Sequence, residues 1–233
     1  MVKLHAMKFP GESTAYRTAR NKLLIEEVKL RRHLEAVAAL RCKLPPGGKL
    51  KENYVFEEGA PDFADQAAVK QVRFSELFEK GKNSLIIYSF MYAPEANTPC
   101  PMCTALLDSL NGAAFHARDR INLVVVAKAP LQKIRKWAQR RGWSNLRLLS
   151  SLNNTYNADY FGESVNGGQT PAINVFRKKG RSIHHFWNSE LFFVASEKGQ
   201  DPRGADLIWP LWNLFDLTPE GRGKDWYPKY SYD

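Results

Sequence analysis

The chain has little cysteine. Three stand among 233 residues, too few for a disulfide scaffold, and the odd count leaves at least one unpaired. It also lacks any stretch near the roughly 20 apolar residues that span a bilayer, so no membrane partner is expected. Its opening, MVKLHAMKFPGES, has no apolar run of the length a secretory signal requires. The expected localisation is therefore cytoplasmic. Acidic residues are outnumbered 24 to 34, for a net charge of +10. Residues 1–50 hold eleven Lys/Arg against four Glu, which is +7 of that total. Such an excess can mean an acidic partner or nucleic acid, but no recognition motif accompanies it. It reads as a solvated helix face, with no nucleic-acid partner expected. No internal repeat is present.

What is there suffices for a folded core: 44% of the residues are hydrophobic and 25% charged. Residues 13–41 contain no Gly or Pro, and Leu23, Leu30, Leu34 and Val37 recur at helical spacing. Ser13 or Thr14 is placed to cap this helix. LPPGGK, residues 44–49, then breaks it. We therefore expect an N-terminal helical extension over residues 1–50 and a second domain over 51–233. At 1.5 Å per residue the helix would be about 43 Å long, more than a small domain can cover. A homodimer is the expected way to bury its stripe.

Beyond the break, NYVFEE reads as a strand and RFSELFEKGK as a short helix closed by Gly81. SLIIYSFMY (84–92) and INLVVVAKA (121–129) are continuous apolar runs, expected as strands buried on both faces. PLQKIRKWAQRRG (130–142) reads as a helix between Pro130 and Gly142. LRLLSS is a further strand. PAINVF and SIHHFW flank RKKGR as a β-hairpin, and WPLWNLFDL (209–217) is a last helix. The order strand, helix, strand, helix, hairpin, helix predicts an α/β fold. Its central mixed sheet would be flanked by helices in a thioredoxin-like layout.

The scarcity of cysteine makes the placing of two of them informative. Cys100-Pro101-Met102-Cys103 follows the first buried strand and opens a helix carrying Leu106, Leu107 and Leu110, which Asn111-Gly112 is expected to interrupt. Free N–H groups at a helix start stabilise a thiolate. Three-residue spacing brings the second sulfur one turn on. Cys100 is then the exposed attacking thiol and Cys103 the shielded resolving one. A zinc site would need a second ligand pair. Cys42 stands alone, and His116, His184 and His185 lack ligand spacing, so neither metal nor other cofactor is expected.

Several segments carry a family resemblance: the basic N-terminal helix ending in LP, NYVFEE, IIYSFMYAPE, CPMC, VVVAKAPLQKI, GWS, NADYFGE and LFDLTPEGRG. Together they resemble the DUF899 family of thioredoxin-like proteins, distantly related to the peroxiredoxin and thioredoxin groups. The resemblance implies a thioredoxin-like fold and a thiol–disulfide role for Cys100 and Cys103. It also implies a cis Thr170-Pro171 bond that faces the dithiol and shapes a groove for an extended substrate. Thioredoxins bury a carboxylate beneath the dithiol; SLIIYSFMY has none, and Glu95 in the following loop is the nearest replacement proton acceptor. The loop APEANTP resembles the one before a peroxiredoxin's reactive cysteine, where a Thr and an Arg hold the peroxide; Thr98 would take the first role. The leading expectation is a dithiol–disulfide oxidoreductase acting on a protein or small-molecule disulfide. A thiol peroxidase and a redox-inactive binding module are the alternatives.

Overall fold

The computed structural model describes residues 4–62, 65, 68–223 and 225–232. The chain forms two compact units, Met1–Pro45 and Pro46–Asp233. The first is built on one helix, α1 (Thr14–Cys42), of 29 residues. Ser13 starts it as expected: its backbone is extended and its Oγ accepts from the Tyr16 N–H. Arg17 Nε donates to Glu12 Oε1 at 2.7 Å just before the first turn. The helix has no fully buried residue, and Leu23, Leu30 and Leu34 are each more than half exposed.

The second unit is a seven-stranded mixed sheet. Its strands are β1 (Val55–Gly59), β2 (Val69–Arg73), β3 (Ser84–Phe90), β4 (Asn122–Ala127), β5 (Arg147–Ser150), β6 (Ala172–Lys179) and β7 (Ser182–Asn188). They lie in the order β2-β1-β5-β4-β3-β6-β7. The centre, β5-β4-β3, is parallel, and the flanking pairs are antiparallel. The two apolar runs supply β3 and β4, and β4 is buried along its whole length. Helices α2 (Pro101–Arg120) and α3 (Leu131–Arg141) connect β3 to β4 and β4 to β5. Both crossovers advance in the same direction across the sheet, so a shared hand puts both helices on one face. Leu106, Leu107, Ile134 and Trp137 pack there against Tyr88, Phe90 and Val125. The other face holds Phe56, Phe74, Ile87, Val126 and Phe176, with Tyr156 from the short helix α4 (Tyr156–Asp159). A β-α-β-α unit with an antiparallel hairpin added beside its first strand is the thioredoxin-like arrangement. Residues 46–50 belong to this unit: Gly47 N–H donates to the His185 carbonyl and Leu50 N–H to that of Ile183.

Three local expectations change. RFSELFEKGK gives only a 3-10 turn, Phe74–Leu77. The preceding VKQVR is a strand, β2, although only Val72 in it is buried; pairing with β1 creates it rather than an apolar pattern. Asn111-Gly112 does not interrupt α2. The Asn111 side chain accepts from the Asn145 N–H at 2.9 Å. Burial of Leu107, Leu110 and Ala114 outweighs the roughly 1 kcal/mol that a mid-helix glycine costs. Gly142 ends α3 with φ +69°, in the left-handed region. The last helix, α5, covers only Leu211–Asp216, and Trp209 before it is a core residue, 1% exposed.

Candidate functional site

The dithiol sits where β3 runs out and α2 begins. Cys100 is the N-cap: its backbone is extended, and its Sγ accepts from the Cys103 N–H at 3.5 Å. Pro101 follows at the first helical position, where a missing N–H costs nothing. The loop before it is tied down. Cys100 N–H donates to the Met91 carbonyl at 3.0 Å. Lys133 Nζ, from α3, donates to the carbonyls of Pro94 at 2.6 Å and Ala96 at 3.2 Å. The Cys100 backbone and the loop that leads to it are thus held in place.

Burial separates the two thiols. Cys103 is 3% exposed and lies in the core with Tyr88, whereas Cys100 is half-buried. All three cysteines are free thiols. Hydrogen bonding from the Cys103 side chain pulls the Cys100 thiol down to about 6 against the opposition of burial. The Cys103 N–H, the Tyr227 hydroxyl and the Met102 N–H add to that pull. Cys103 moves the other way, well above the ordinary thiol range, because it gives its hydrogen bond to Cys100 and is buried. At neutral pH the pair is one thiolate and one thiol, with the charge on the accessible sulfur. No cation is among the leading causes of the Cys100 shift.

Two tyrosines complete the site. Tyr88, on β3 beneath Cys103, is 1% exposed. Burial raises its phenol well above the usual range, so it stays protonated and serves as a donor to the Cys103 sulfur. Tyr227 reaches in from the C-terminal segment, its Oη 3.8 Å from Cys100 Sγ. Burial, then the Cys100 charge, push its phenol up to about 12. That segment is anchored three residues on. The Tyr230 hydroxyl donates to the Pro99 carbonyl, its ring meets Trp137 edge-on at 5.0 Å, and its carbonyl accepts from Arg141. Sequence reasoning reached neither tyrosine. Tyr88 was in view as part of a strand lacking a carboxylate, but 127 residues separate Tyr227 from Cys100 and no local pattern points to it.

The structure brings Cys100 and Cys103 together at the start of α2. Glu95 and Thr98 are exposed on the loop and make no side-chain hydrogen bond or ion pair among the described residues; the polar group beneath Cys103 is Tyr88. Thr170 and Pro171 lie at the same end of the sheet, since Ala172 pairs with Ser89 near the end of β3. The expected cis bond is absent: no peptide among the described residues is cis. Trans is the ordinary state of an X–Pro bond by about 0.5–1 kcal/mol. The Thr170 N–H is held by the Gly162 carbonyl. Among the described residues no group of three metal-ligating side chains gathers, and no helix is long and apolar enough to cross a membrane.

A family model described as "Bacterial protein of unknown function (DUF899)" matches residues 7–232. None of the curated proteins compared with the chain matches it. Among solved structures, thioredoxin peroxidase I of Plasmodium yoelii is 14% identical with a TM-score of 0.45, covering 79% of this chain and 100% of its own. The AhpC protein of Mycobacterium tuberculosis is 14% identical at 0.44, covering 76% and 94%. The exposed lipoprotein thioredoxin Etrx1 of Streptococcus pneumoniae is 19% identical at 0.38, covering 66% and 95%. Likenesses at this level say nothing about reaction or substrate.

Proposed function

The chain belongs to the bacterial DUF899 family, and from the chemistry of its dithiol we propose that it is a thiol–disulfide oxidoreductase. The observation that carries this reading is the asymmetry of the pair: a lowered, half-exposed Cys100 above a raised, buried Cys103. The Cys100 thiolate attacks one sulfur of a protein or small-molecule disulfide. A Cys100–substrate bond forms, the substrate S–S bond breaks, and the departing thiolate takes a proton from water. Cys103 then attacks Cys100 Sγ, closing the internal disulfide and breaking the Cys100–substrate bond, and the proton Cys103 gives up leaves on the second substrate thiol. Tyr88 donates to the Cys103 sulfur as charge develops there. Two electrons pass from the dithiol to the substrate, and the proposed setting is the cytosol, where thiols are kept reduced.

The test is turnover of glutathione disulfide or insulin by the reduced protein. Cys100→Ser should abolish it, and Cys103→Ser should stop at a mixed disulfide visible by mass spectrometry. An active Cys100→Ser protein would refute the assignment.

One feature favours a second reading, thiol peroxidase. A departing hydroxide or alkoxide needs a proton, and a phenol near 12 beside the thiolate is acidic enough to give it. A departing thiolate, with an ordinary pKa of about 8.5, needs no such donor. Hydrogen peroxide consumption in dithiothreitol, set against disulfide turnover, separates the two.

We also propose that α1 pairs with a second copy of the chain through Leu23, Leu30 and Leu34, whose exposure leaves an apolar stripe without cover. Leu30→Glu with Leu34→Glu should convert a sedimenting dimer to monomer. A monomeric wild type at tens of micromolar would overturn this.

A further inference from the structure

The sheet carries a second concave site on the face away from α2. Along β6, Ile173 joins the core of the dithiol face and Phe176 that of the opposite face, so Asn174 points to the latter. Above it opens a cavity of about 730 Å³, lined by Tyr160, Phe161, Asn174, His185, Asn188 and Phe193.

Its floor is polar and built. Asn174 is fully buried. Its Nδ2 donates to the Tyr160 carbonyl at 2.9 Å, which fixes the orientation of the amide. Its Oδ1 accepts from Asn188 Nδ2 at 2.7 Å and from His185 Nε2 at 3.1 Å. An amide oxygen only accepts, so the His185 proton is on Nε2 and Nδ1 is left as an acceptor. Burial holds this imidazole below its ordinary range, which keeps it neutral. Asn188 is 6% exposed, and its Oδ1 has no hydrogen-bond partner among the described residues. Buried polar atoms left over in this way are uncommon in a folded protein.

The walls are aromatic. Tyr160 stacks on His185 at 5.8 Å and 24°. Phe161 and Phe193 stand 6.1 Å apart at the mouth, 64% and 50% exposed. Phe161 also has φ +59°, among the described residues the one non-glycine with positive φ, a costly conformation for a bulky side chain. The Gly162 N–H, bonded to the Asn157 carbonyl at 2.7 Å, holds it there. The fold thus maintains a strained backbone that leaves an aromatic ring in water at the mouth of a cavity. Around the rim, Lys49 and Lys51 are balanced by Asp159 and Glu190, so nothing selects a net charge.

We propose that this cavity binds a small uncharged phenol, its ring against Phe161 and Phe193 and its hydroxyl donating to His185 Nδ1. An aromatic ring matches the walls, a hydroxyl donor matches the acceptors the floor leaves open, His185 Nδ1 and beside it Asn188 Oδ1, and neutrality matches the rim. The site is separate from the dithiol, which lies across the sheet.

Titration calorimetry of phenol and of anisole, its methyl ether, into the full reduced chain tests this. Phenol should bind saturably at one site in the range of about 1 mM, and anisole at least about tenfold more weakly for want of the donor. Phe193→Ala should weaken phenol about fivefold with melting unchanged, since this ring is at the surface. Phe115→Ala, a ring still more exposed at 68% but on α2, should not. Phenol should leave the rate of Cys100 alkylation by iodoacetamide unchanged. Any of four results overturns the proposal: no saturable phenol binding, equal binding of anisole, indifference to Phe193→Ala, or protection of Cys100 by phenol.

Discussion

The two faces of the sheet handle buried polarity in opposite ways. On the α2 face, polar atoms gather at the end of β3, where a helix start, a loop and the C-terminal segment converge. There Cys100 is left chargeable, with hydrogen-bond donors rather than a cation leading the causes of its lowered pKa. On the other face, Asn174 sits mid-strand and is satisfied three times by neutral partners. Helix ends supply unpaired N–H groups, and a thiolate can use them. Mid-sheet positions supply none, because the ladder consumes the backbone, so a polar side chain there must be met by other side chains. One arrangement lowers a pKa and makes a nucleophile. The other shapes a cavity and holds a histidine neutral.

The largest effect should come from breaking the neutral face. Asn174→Leu keeps the volume but strands the His185 and Asn188 donors and the Tyr160 carbonyl. With two or three buried groups unsatisfied, stability should fall by about 3 kcal/mol, read from urea unfolding. The pH profile of Cys100 alkylation should not move, since no Asn174 atom contacts that sulfur. If the profile shifts with stability, the faces are not independent.

Next in size is Tyr88→Phe, which removes the donor under Cys103 while leaving the ring in place. A hydrogen bond to a charged sulfur contributes roughly 1.5–3 kcal/mol, so closure of the internal disulfide should slow by about tenfold or more. Mass spectrometry after mixing with glutathione disulfide should then show the Cys100 mixed disulfide accumulating. Formation of that species should keep its wild-type rate. A slowed first step with normal closure would remove Tyr88 from this role.

What was legible in the sequence divides along the same line. SLIIYSF and NLVVVA are local signals, and burial of both strand faces leaves little else for such runs to be. Cys100 and Cys103 were readable because a helix start is also local: Pro101, then leucines at helical spacing. VKQVR was not readable, since four of its five side chains are not buried and its strand exists only by pairing. The carboxylate sought in Glu95 was sought nearby in sequence, whereas the partners of the thiols are Tyr88 and Tyr227. Asn174 lies in PAINVF, where one asparagine in an apolar run gives no hint that His185 and Asn188 come across the hairpin to meet it. Polar sites assembled from three or more segments are settled by packing, which a linear pattern does not encode.

The smallest effect sharpens the comparison most. Tyr227 is nearly half exposed, at 48%, and is the weaker of the side-chain donors to Cys100; the Cys103 side chain ranks first. Tyr227→Phe should therefore raise the Cys100 pKa from about 6 by less than about one unit, since water can partly replace an exposed donor. The sign is fixed: removing a donor to the thiolate disfavours the charged form, so the thiolate fraction falls at every pH near the midpoint. Iodoacetamide alkylation measured from pH 4.5 to 9 should show the midpoint displaced upward and the plateau rate equal or slightly higher, because a more basic thiolate is the better nucleophile. Tyr230→Phe separates donation from anchoring. It removes the bond to the Pro99 carbonyl and leaves the Tyr227 phenol intact, so a midpoint unchanged in Tyr230→Phe and raised in Tyr227→Phe assigns the effect to the phenol itself. Equal shifts in both would assign it to the seating of the segment, and no shift in either would leave the Cys100 thiolate to its helix end and to Cys103 alone.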